Sequence, residues 1–351
     1  SGRVGGDGVM IQLKDLCQKA SSNIAQKDLE GHEGQYPIYG ASGLIGYVDF
    51  YKQENPYVAV VKDGAGIGRV MCLPEKSSVI GTMQYILPNE GVNVHYLAFA
   101  MEHMNLAKYF SGATIPHIYF KDYCTERLPK NSEAEQKQIS TTLSRVTELI
   151  SLRKQQLSKL DELVKARFVE MFGTYPKNEN GFPVAVISDV ANVSVGVVIK
   201  PAQYYVTEEC GIKAFRSLNI GEMYIKDSDW VYFSTEGNES NKKSQLHEND
   251  LLIVRSGAPG TSCVVTKEFE GCNAVDVIIA HPNLSKVNPW YLCAYINYPH
   301  GKKQIEEGTG GAAQQHFNVG KCNNLKVLLP PLEPQNQFAA FVERVNQQKQ
   351  T

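Results

Sequence analysis

The chain has 351 residues, of which 42% are hydrophobic and 21% charged, as in an ordinary folded globular protein. Its formal net charge of −2 excludes a histone-like protein that binds nucleic acid by bulk charge alone, although local basic patches are still possible. Residues 1–9 have the composition of an expression tag, and we expect the native sequence to begin at Met10. The remaining chain is long enough for two domains.

Targeting signals and cysteine pairs are both missing from the sequence. No run of 18 apolar residues occurs and no signal peptide follows Met10, which favours a cytoplasmic protein without a membrane partner. The eight cysteines include no CxxC pair. We therefore expect free, reduced thiols, and we predict neither a zinc site nor a disulfide framework.

Two stretches, residues 10–131 and 182–332, consist of short β-like runs separated by glycine, asparagine and proline. Short β-like runs in this arrangement, with a long helix between the two stretches, are typical of the α+β class. The pattern predicts two tandem mixed α/β domains.

A long helix is predicted between them, over residues 132–173. Residues 132–172 contain neither glycine nor proline. Gly173 then takes the usual position of a helix-terminating glycine. Ser132 and Glu135 have the spacing of a capping box at the start. Apolar residues recur in heptad steps, and this predicted seam comprises Ile139, Leu143, Val146, Ile150, Leu157, Leu160 and Val164. A helix of about 40 residues, roughly 60 Å long, cannot bury such a seam without a partner helix.

A second and shorter helix is predicted over residues 333–351. Its apolar stripe contains Phe338, Val342 and Val345. It has about half the length of the first helix, so we expect it to cover only part of the seam. The sequence leaves open whether this shortening is natural or engineered.

The two domain-sized stretches also share an order of motifs. The run VVKDGAG at residues 60–66 corresponds to IVRSGAPG at residues 253–260. A glycine-polar loop follows in each half, at residues 111–114 and 308–311. Each half then ends in Leu-Pro and a glutamine-bearing amphipathic helix. These ordered matches indicate a tandem repeat of one domain plus one helix.

This arrangement resembles the specificity subunits of type I restriction-modification systems, over essentially the whole chain from Met10. The most specific marks are the glycine-polar loop followed by the run PPLEPQ at residues 330–335, and the stretch at residues 149–172, which is similar to the family's linker helix. The resemblance implies two target-recognition domains that each read one half of a split double-stranded DNA sequence. It also implies that the two helices pair antiparallel and dock methyltransferase subunits.

The same resemblance implies a DNA-reading scaffold that is not an enzyme. Methylation and cleavage would belong to the methyltransferase subunits and to a restriction subunit that translocates DNA. S-adenosylmethionine, ATP and magnesium are expected on those partners, and no cofactor is expected on this chain. Because the second helix is short, an alternative is a truncated or regulatory variant that binds methyltransferase subunits without delivering them to DNA.

Two motifs imitate a methyltransferase that would act alone. The glycine-rich run at residues 64–68 resembles a cofactor loop, but such a loop needs a helix directly after it, and the following residues are β-like. The run Asn55-Pro56-Tyr57 lacks one proline of the motif that grips a flipped adenine. We predict ordinary turns at both places.

Candidate DNA contacts follow from side-chain chemistry. Lysine and arginine contact phosphates, whereas arginine and glutamine can each bond a base edge through two atoms. In the first domain the candidates are Lys62, Arg69, Thr114, His117 and Lys121. In the second they are Arg216, Lys242, Lys243, Arg255, Thr309, Gln314, Gln315 and His316. The alternative for the two glutamines is that they only cap a turn. We predict no catalytic residue and no metal site, and we expect His281 to be an ordinary hydrogen-bonded histidine.

The sequences of the two domains differ strongly outside the shared framework. We therefore expect them to read different half-sites. Two readers in the major groove on one face of DNA would have centres one helical turn apart, roughly 10 bp.

Overall fold

The computed structural model describes residues 9–64, 66–112, 116–309 and 316–350, with the backbone alone at Gly308 and Thr309. The chain forms two compact units, Ser1–Arg153 and Lys154–Thr351, and the division falls inside one long helix. No helix in these ranges is long and apolar enough to cross a membrane. The predicted mixture of helices and strands is confirmed.

Within its described residues, the first unit contains nine strands, two short helices and the start of the long helix. The strands are β1 (Met10–Gln12), β2 (Cys17–Ser21), β3 (Tyr36–Gly40), β4 (Gly43–Val48), β5 (Tyr57–Val61), β6 (Val70–Leu73), β7 (Ser78–Val79), β8 (Met83–Pro88) and β9 (Arg127–Pro129). The helices are α1 (Val94–His103), α2 (Phe120–Tyr123) and the long helix α3 (Glu133–Phe172).

The central sheet of the first unit has the strand order β2-β8-β5-β6, and all its neighbours are antiparallel. Strand β5 is buried along its whole length because both of its faces are covered. Val58 and Val60 pack on the side of α1, whereas Tyr57 and Ala59 belong to a core on the opposite face. A strand covered on both faces reads as a continuous apolar run, and this explains the sequence of β5.

Among its described residues, the second unit contains ten strands, six helices and the end of α3. The strands are β10 (Val184–Val186), β11 (Ala191–Val195), β12 (Tyr205–Val206), β13 (Ile212–Phe215), β14 (Val231–Phe233), β15 (Leu251–Val254), β16 (Ser262–Val264), β17 (Asn273–Ala274), β18 (Val277–Pro282) and β19 (Lys326–Leu328). Apart from the end of α3, the helices are α4 (Ile187–Val190), α5 (Thr235–Ser240), α6 (Pro289–Asn297), α7 (Pro299–Thr309), α8 (Val319–Asn323) and α9 (Leu332–Gln350). Gly308 and Thr309 thus belong to the end of a helix and not to the polar loop that we predicted there.

The second unit repeats the plan of the first. Its central sheet has the order β11-β18-β15-β16, with α6 in the place of α1. The pair β10-β19 corresponds to the pair β1-β9, and both are antiparallel. A further small sheet completes each unit, β4-β3-β7 in the first and β12-β14-β13-β17 in the second. The predicted tandem repeat is therefore confirmed.

Helix α3 has the ends that its sequence predicts, to within one residue. The backbone N–H of Ser132 donates to the Glu135 carboxylate at 2.8 Å, and the N–H of Glu135 donates back to the Ser132 hydroxyl at 3.4 Å. These bonds form the predicted capping box. At the other end, Gly173 has a φ of +72°, a left-handed conformation that favours glycine.

Helix α9 runs antiparallel to the last part of α3. The Phe338 ring lies 5.2 Å from the Phe168 ring, whereas Lys349 Nζ reaches Asp161 Oδ1 at 2.5 Å. Val164, Phe338, Val342 and Val345 are buried as predicted. Beyond Val164, the line of burial on α3 follows Phe168 and Phe172. Phe168 also packs on Tyr291 and Tyr298, so the domain and α9 together decide which face is buried.

The earlier part of α3 carries an apolar face that no described residue buries. Leu143, Val146 and Ile150 are 39%, 46% and 51% exposed. Ile139, Leu157 and Leu160 are half-buried. The predicted pairing seam is therefore closed only in its last turns, because α9 reaches no further than the region of Asp161.

Candidate nucleic-acid interface

The glycine-rich run of the first unit is a β-hairpin connection between β5 and β6. The two strands pair antiparallel from Tyr57 with Leu73 to Val60 with Val70. Gly64, Gly66 and Gly68 all have positive φ, and a Cβ on Gly68 would lie 2.5 Å from the backbone N of Ala107. A strand follows this run where a cofactor loop would need a helix. The prediction of an ordinary turn at this run is confirmed.

A polar pair joins this turn to the chain that follows the glycine-polar loop. His117 Nδ1 lies 2.6 Å from Asp63 Oδ1. Beside this pair, the N–H of Ile118 donates to the Lys62 carbonyl at 3.0 Å, and the N–H of Gly64 donates to the Pro116 carbonyl at 3.2 Å. The turn and the end of the loop are thus held as one surface feature, here called the first turn cluster (Lys62, Asp63, Arg69, His117 and Lys121).

Three cationic side chains belong to the first turn cluster, in addition to the pair of His117 and Asp63. Lys62 Nζ lies 3.7 Å from Asp63 Oδ2. The exposed Arg69 donates to the Ala41 carbonyl at 2.7 Å, which holds its guanidinium beside the turn. Lys121 Nζ lies 5.4 Å from the centre of the Tyr119 ring, which stacks 6.5 Å from His117. The structure therefore brings four of the five predicted residues of this domain together.

The second unit repeats this geometry at the connection of β15 and β16. The N–H of Phe317 donates to the Arg255 carbonyl at 3.0 Å, as Ile118 does to Lys62. His316 Nδ1 lies 2.8 Å from the Ser256 hydroxyl, as His117 does from Asp63. Gly257 and Gly260 have positive φ. We call this feature the second turn cluster (Arg255, Ser256, Asp276, His316 and Lys321).

Arg255 is oriented by an ion pair inside the second turn cluster. Its guanidinium donates to the carboxylate of Asp276, and the side chain of Arg255 is only 19% exposed. Its buried Nε has no hydrogen-bond partner within the described ranges. The N–H of Asp276 donates to the Val197 carbonyl at 3.2 Å, which fixes the backbone at Asp276. The ion pair thus holds the Arg255 guanidinium, a group that can form paired hydrogen bonds to phosphates, at the turn.

Lys321 was missed by the sequence analysis. Its Nζ donates to the His316 carbonyl at 3.3 Å, so it lies at the base of the second turn cluster. The position of Lys121 after His117 in the first domain was a possible signal, because the repeat places a lysine shortly after the histidine in both halves.

Three predicted residues lie outside the second turn cluster. Arg216 donates to the Asp229 carbonyl at 2.5 Å and so supports its own loop. Lys242 pairs with Glu239 at 2.9 Å, and both Lys242 and Lys243 line a hollow beside Gly196. Thr114, Gln314 and Gln315 lie outside the described residues, as does the side chain of Thr309. Their predicted roles stay predictions.

A groove of about 760 Å³ separates the second turn cluster from the helices of its own unit. Ser256 and Gly257 line it on the domain side, together with the exposed Leu218 and Tyr224. Its opposite wall includes Asp161 of α3 and Lys349 of α9, among other residues. The groove therefore lies between the turn and the paired helices.

A family profile and two related proteins that match this chain are all described as type I restriction specificity proteins. A family profile described as the type I restriction modification DNA specificity domain matches residues 7–162. The chain is 22% identical to a putative type I restriction enzyme MjaX specificity subunit from Methanocaldococcus jannaschii, over 98% of this chain and 88% of that protein. It is 21% identical to the type I restriction enzyme EcoBI specificity subunit from Escherichia coli, over 67% of this chain and 54% of that protein, so it spans about half of that relative.

The fold has a counterpart among solved structures. The crystal structure of a type I restriction-modification system S subunit from M. genitalium matches with a TM-score of 0.66 and 14% identity, covering 99% of this chain and 92% of that chain. This likeness supports the fold. Together with the profile and the relatives, it confirms the resemblance found in the sequence.

Proposed function

We propose that this chain, a non-catalytic specificity subunit of the type I restriction-modification class, reads a bipartite double-stranded DNA target with one turn cluster in each domain. The observation that carries the proposal is the repeated geometry. In both halves a histidine that follows the glycine-polar loop bonds the residue just before the turn glycine. The same backbone and side-chain hydrogen bonds at corresponding positions of both halves are not expected by chance.

The chemistry of the clusters suits DNA. Lys62, Arg69 and Lys121 can neutralise phosphates around the first turn, and Arg255 and Lys321 can do so around the second. Arg255 is also held rigidly enough to form two bonds to a guanine edge. Since the net charge of the whole chain is −2, the attraction is local, and we expect weak binding by the subunit alone.

The residues that differ between the clusters support different half-sites. Asp63 in the first turn corresponds to Ser256 in the second, and Lys62 corresponds to Arg255. A carboxylate repels phosphate and accepts from the amino group of cytosine, whereas a hydroxyl can donate or accept. The two domains therefore present different hydrogen-bonding groups at the same place on a shared framework.

We further propose that the open apolar face of α3 docks methyltransferase subunits. Leu143, Val146 and Ile150 form one stripe on a stretch of helix, residues 141–152, that is exposed on every side. An exposed apolar stripe on an otherwise polar helix is typical of an interaction site. S-adenosylmethionine would then be bound by those partners, while ATP and magnesium would serve an associated restriction subunit.

The test is a DNA-binding measurement with and without the methyltransferase partner. We expect fluorescence anisotropy to show weak, salt-sensitive binding by this chain alone and tighter, sequence-dependent binding by the assembled complex. A complex that assembles but binds DNA no better than its separate subunits would support the alternative of a regulatory variant and overturn the proposal. The double variant Leu143→Glu, Ile150→Glu should abolish assembly and leave the weak binding unchanged, whereas Leu152→Glu, an exposed leucine off the stripe, should assemble normally.

A further inference from the structure

Three side chains with metal-binding groups meet at the edge of the central sheet of the second unit. They are His247, Asp250 and His281, and one ligand-type atom of each lies within 4.8 Å of the others. Asp250 directly precedes β15, whereas Arg255 directly follows it. The group therefore lies at the opposite end of β15 from the second turn cluster.

Asp250 organises the group. Its Oδ1 lies 2.7 Å from His281 Nδ1, and its Oδ2 accepts the backbone N–H of His247 at 2.8 Å. The carboxylate is buried, with only 5% of its side chain exposed. A carboxylate in this position makes Nδ1 of His281 the protonated nitrogen and leaves the lone pair on Nε2. Histidines that bind metals usually have such a carboxylate behind them.

The second imidazole of the group, that of His247, is exposed at the surface. The side chain of His247 is 66% exposed, and its ring centre lies 6.2 Å from that of His281. Its Nδ1 lies 3.7 Å from Asp250 Oδ2. Bonds of about 2.0 Å in a tetrahedral site place two donor atoms about 3.3 Å apart. The exposed side chain of His247 would rotate to bring its donor nitrogen to this distance from that of His281.

We propose that His247 and His281, with Asp250 as their organising carboxylate, bind one divalent transition-metal ion such as Zn²⁺. Two imidazole ligands favour zinc, nickel or cobalt over magnesium and calcium, which prefer oxygen ligands. The ion connects the loop before β15 to the end of β18, the neighbouring antiparallel strand of the same sheet. This inference is independent of the proposed DNA function.

The chain contains a matched control for the group. His32 Nδ1 lies 2.9 Å from Asp49 Oδ1 on an exposed surface of the first unit, so it has the same histidine-carboxylate bond. Within the described ranges, however, no third metal-binding side chain joins that pair. A histidine-carboxylate bond without a second imidazole should hold zinc only weakly.

The experiment is a calorimetric titration of the full chain with Zn²⁺, repeated with Co²⁺ while its visible absorption is recorded. We expect one site, and we expect His247→Gln and His281→Gln each to weaken it at least tenfold. Asp250→Asn should weaken it about 10- to 100-fold, as the loss of a supporting carboxylate does elsewhere. His32→Gln should leave the affinity and the Co²⁺ spectrum unchanged.

The exposed position of His247 keeps the test decisive even if a variant at Asp250 or His281 is unstable. His247→Gln should melt like the wild type in the absence of metal. Wild-type affinity in that variant, or no saturable site in the wild-type chain, would overturn the proposal. An equal loss of affinity in His32→Gln would overturn it too.

Discussion

The side-chain carbonyl of Gln335 accepts a hydrogen bond of 2.8 Å from the backbone N–H of Asn288. Gln136 and Asn93 form the same bond at 3.0 Å in the other half of the repeat. Each glutamine also donates through Nε2 to a backbone carbonyl just before its own helix, and both side chains are buried. A buried amide therefore ties each domain to the helix that follows it.

Replacing Gln335 with leucine should destabilise the second unit by about 1–3 kcal/mol, because the N–H of Asn288 and the carbonyl of Pro330 lose their partner. Calorimetric melting or urea unfolding measures the change. Gln337 on the same helix is exposed, and its side chain donates to the exposed Glu333, so Gln337→Leu should change stability by less than about 0.5 kcal/mol. Equal effects of the two variants would show that the buried amide has no special role.

Truncating the Phe338 side chain should destabilise the second unit more than the substitution of Gln335 does. Its ring is fully buried between Phe168 and Phe172, and removing a buried phenylalanine side chain costs about 3–5 kcal/mol. Phe338→Ala should therefore lower the melting temperature of the second unit and loosen α9, which limited proteolysis would detect. Leu149→Ala on the exposed part of α3 is the matched control and should have little effect. A stable Phe338→Ala protein would mean that α9 does not depend on this contact.

Local patterns predicted the two helices α3 and α9 well, because their signals lie within a few residues. The cap at Ser132 and Glu135 and the glycine at Gly173 gave the limits of α3. The repeat of motifs also gave the turn clusters in outline, since Lys62 and Arg255 occupy corresponding positions.

Contacts between distant segments could not be predicted. The bond between His117 and Asp63 joins residues 54 positions apart, and that between His281 and Asp250 joins residues 31 apart. Phe168 lies off the heptad seam, and its burial comes from packing against the distant rings of Tyr291 and Phe338. The pairing of strands brings these groups together, and no spacing in the sequence encodes that pairing.

Protonation of His300 should destabilise the second unit in mild acid. Burial lowers the pKa of His300 below its ordinary value of 6.5, against a smaller opposing effect of its hydrogen bond to the Gly173 carbonyl. The unfolded chain takes up this proton more readily than the folded chain does. The contribution of neutral His300 to the stability of the second unit is therefore fully present above about pH 6.5. This contribution is lost as the pH falls through the lower pKa of His300 in the folded state.

Melting temperatures from pH 7.5 to 5 should thus fall less steeply in His300→Asn than in the wild type. His281 contributes with the opposite sign, because its bond to Asp250 raises its pKa, so the two proteins must be compared at each pH. His103→Asn, at an exposed position, should follow the wild-type curve. Parallel curves for His300→Asn and the wild type would contradict this role of His300.

Arg255→Ala should weaken DNA binding by the assembled complex. If Arg255 contacts a phosphate, affinity falls on all sequences and the salt slope decreases by about one. If it reads a base, the loss of about 1–3 kcal/mol falls on one position of the target. Lys267→Ala removes a cation at the far end of the same sheet and should change neither quantity. Wild-type binding by Arg255→Ala would remove Arg255 from the interface.

The most direct measurement is a methylation map of genomic DNA from cells that carry this gene and its methyltransferase partner. Two short half-sites separated by a fixed, unspecific spacer are expected. His117→Ala should relax recognition in one half-site only, and His316→Ala in the other, because each histidine anchors one turn cluster. A single contiguous methylated motif, or a variant that alters both half-sites at once, would contradict the reading of DNA by two separate turn clusters.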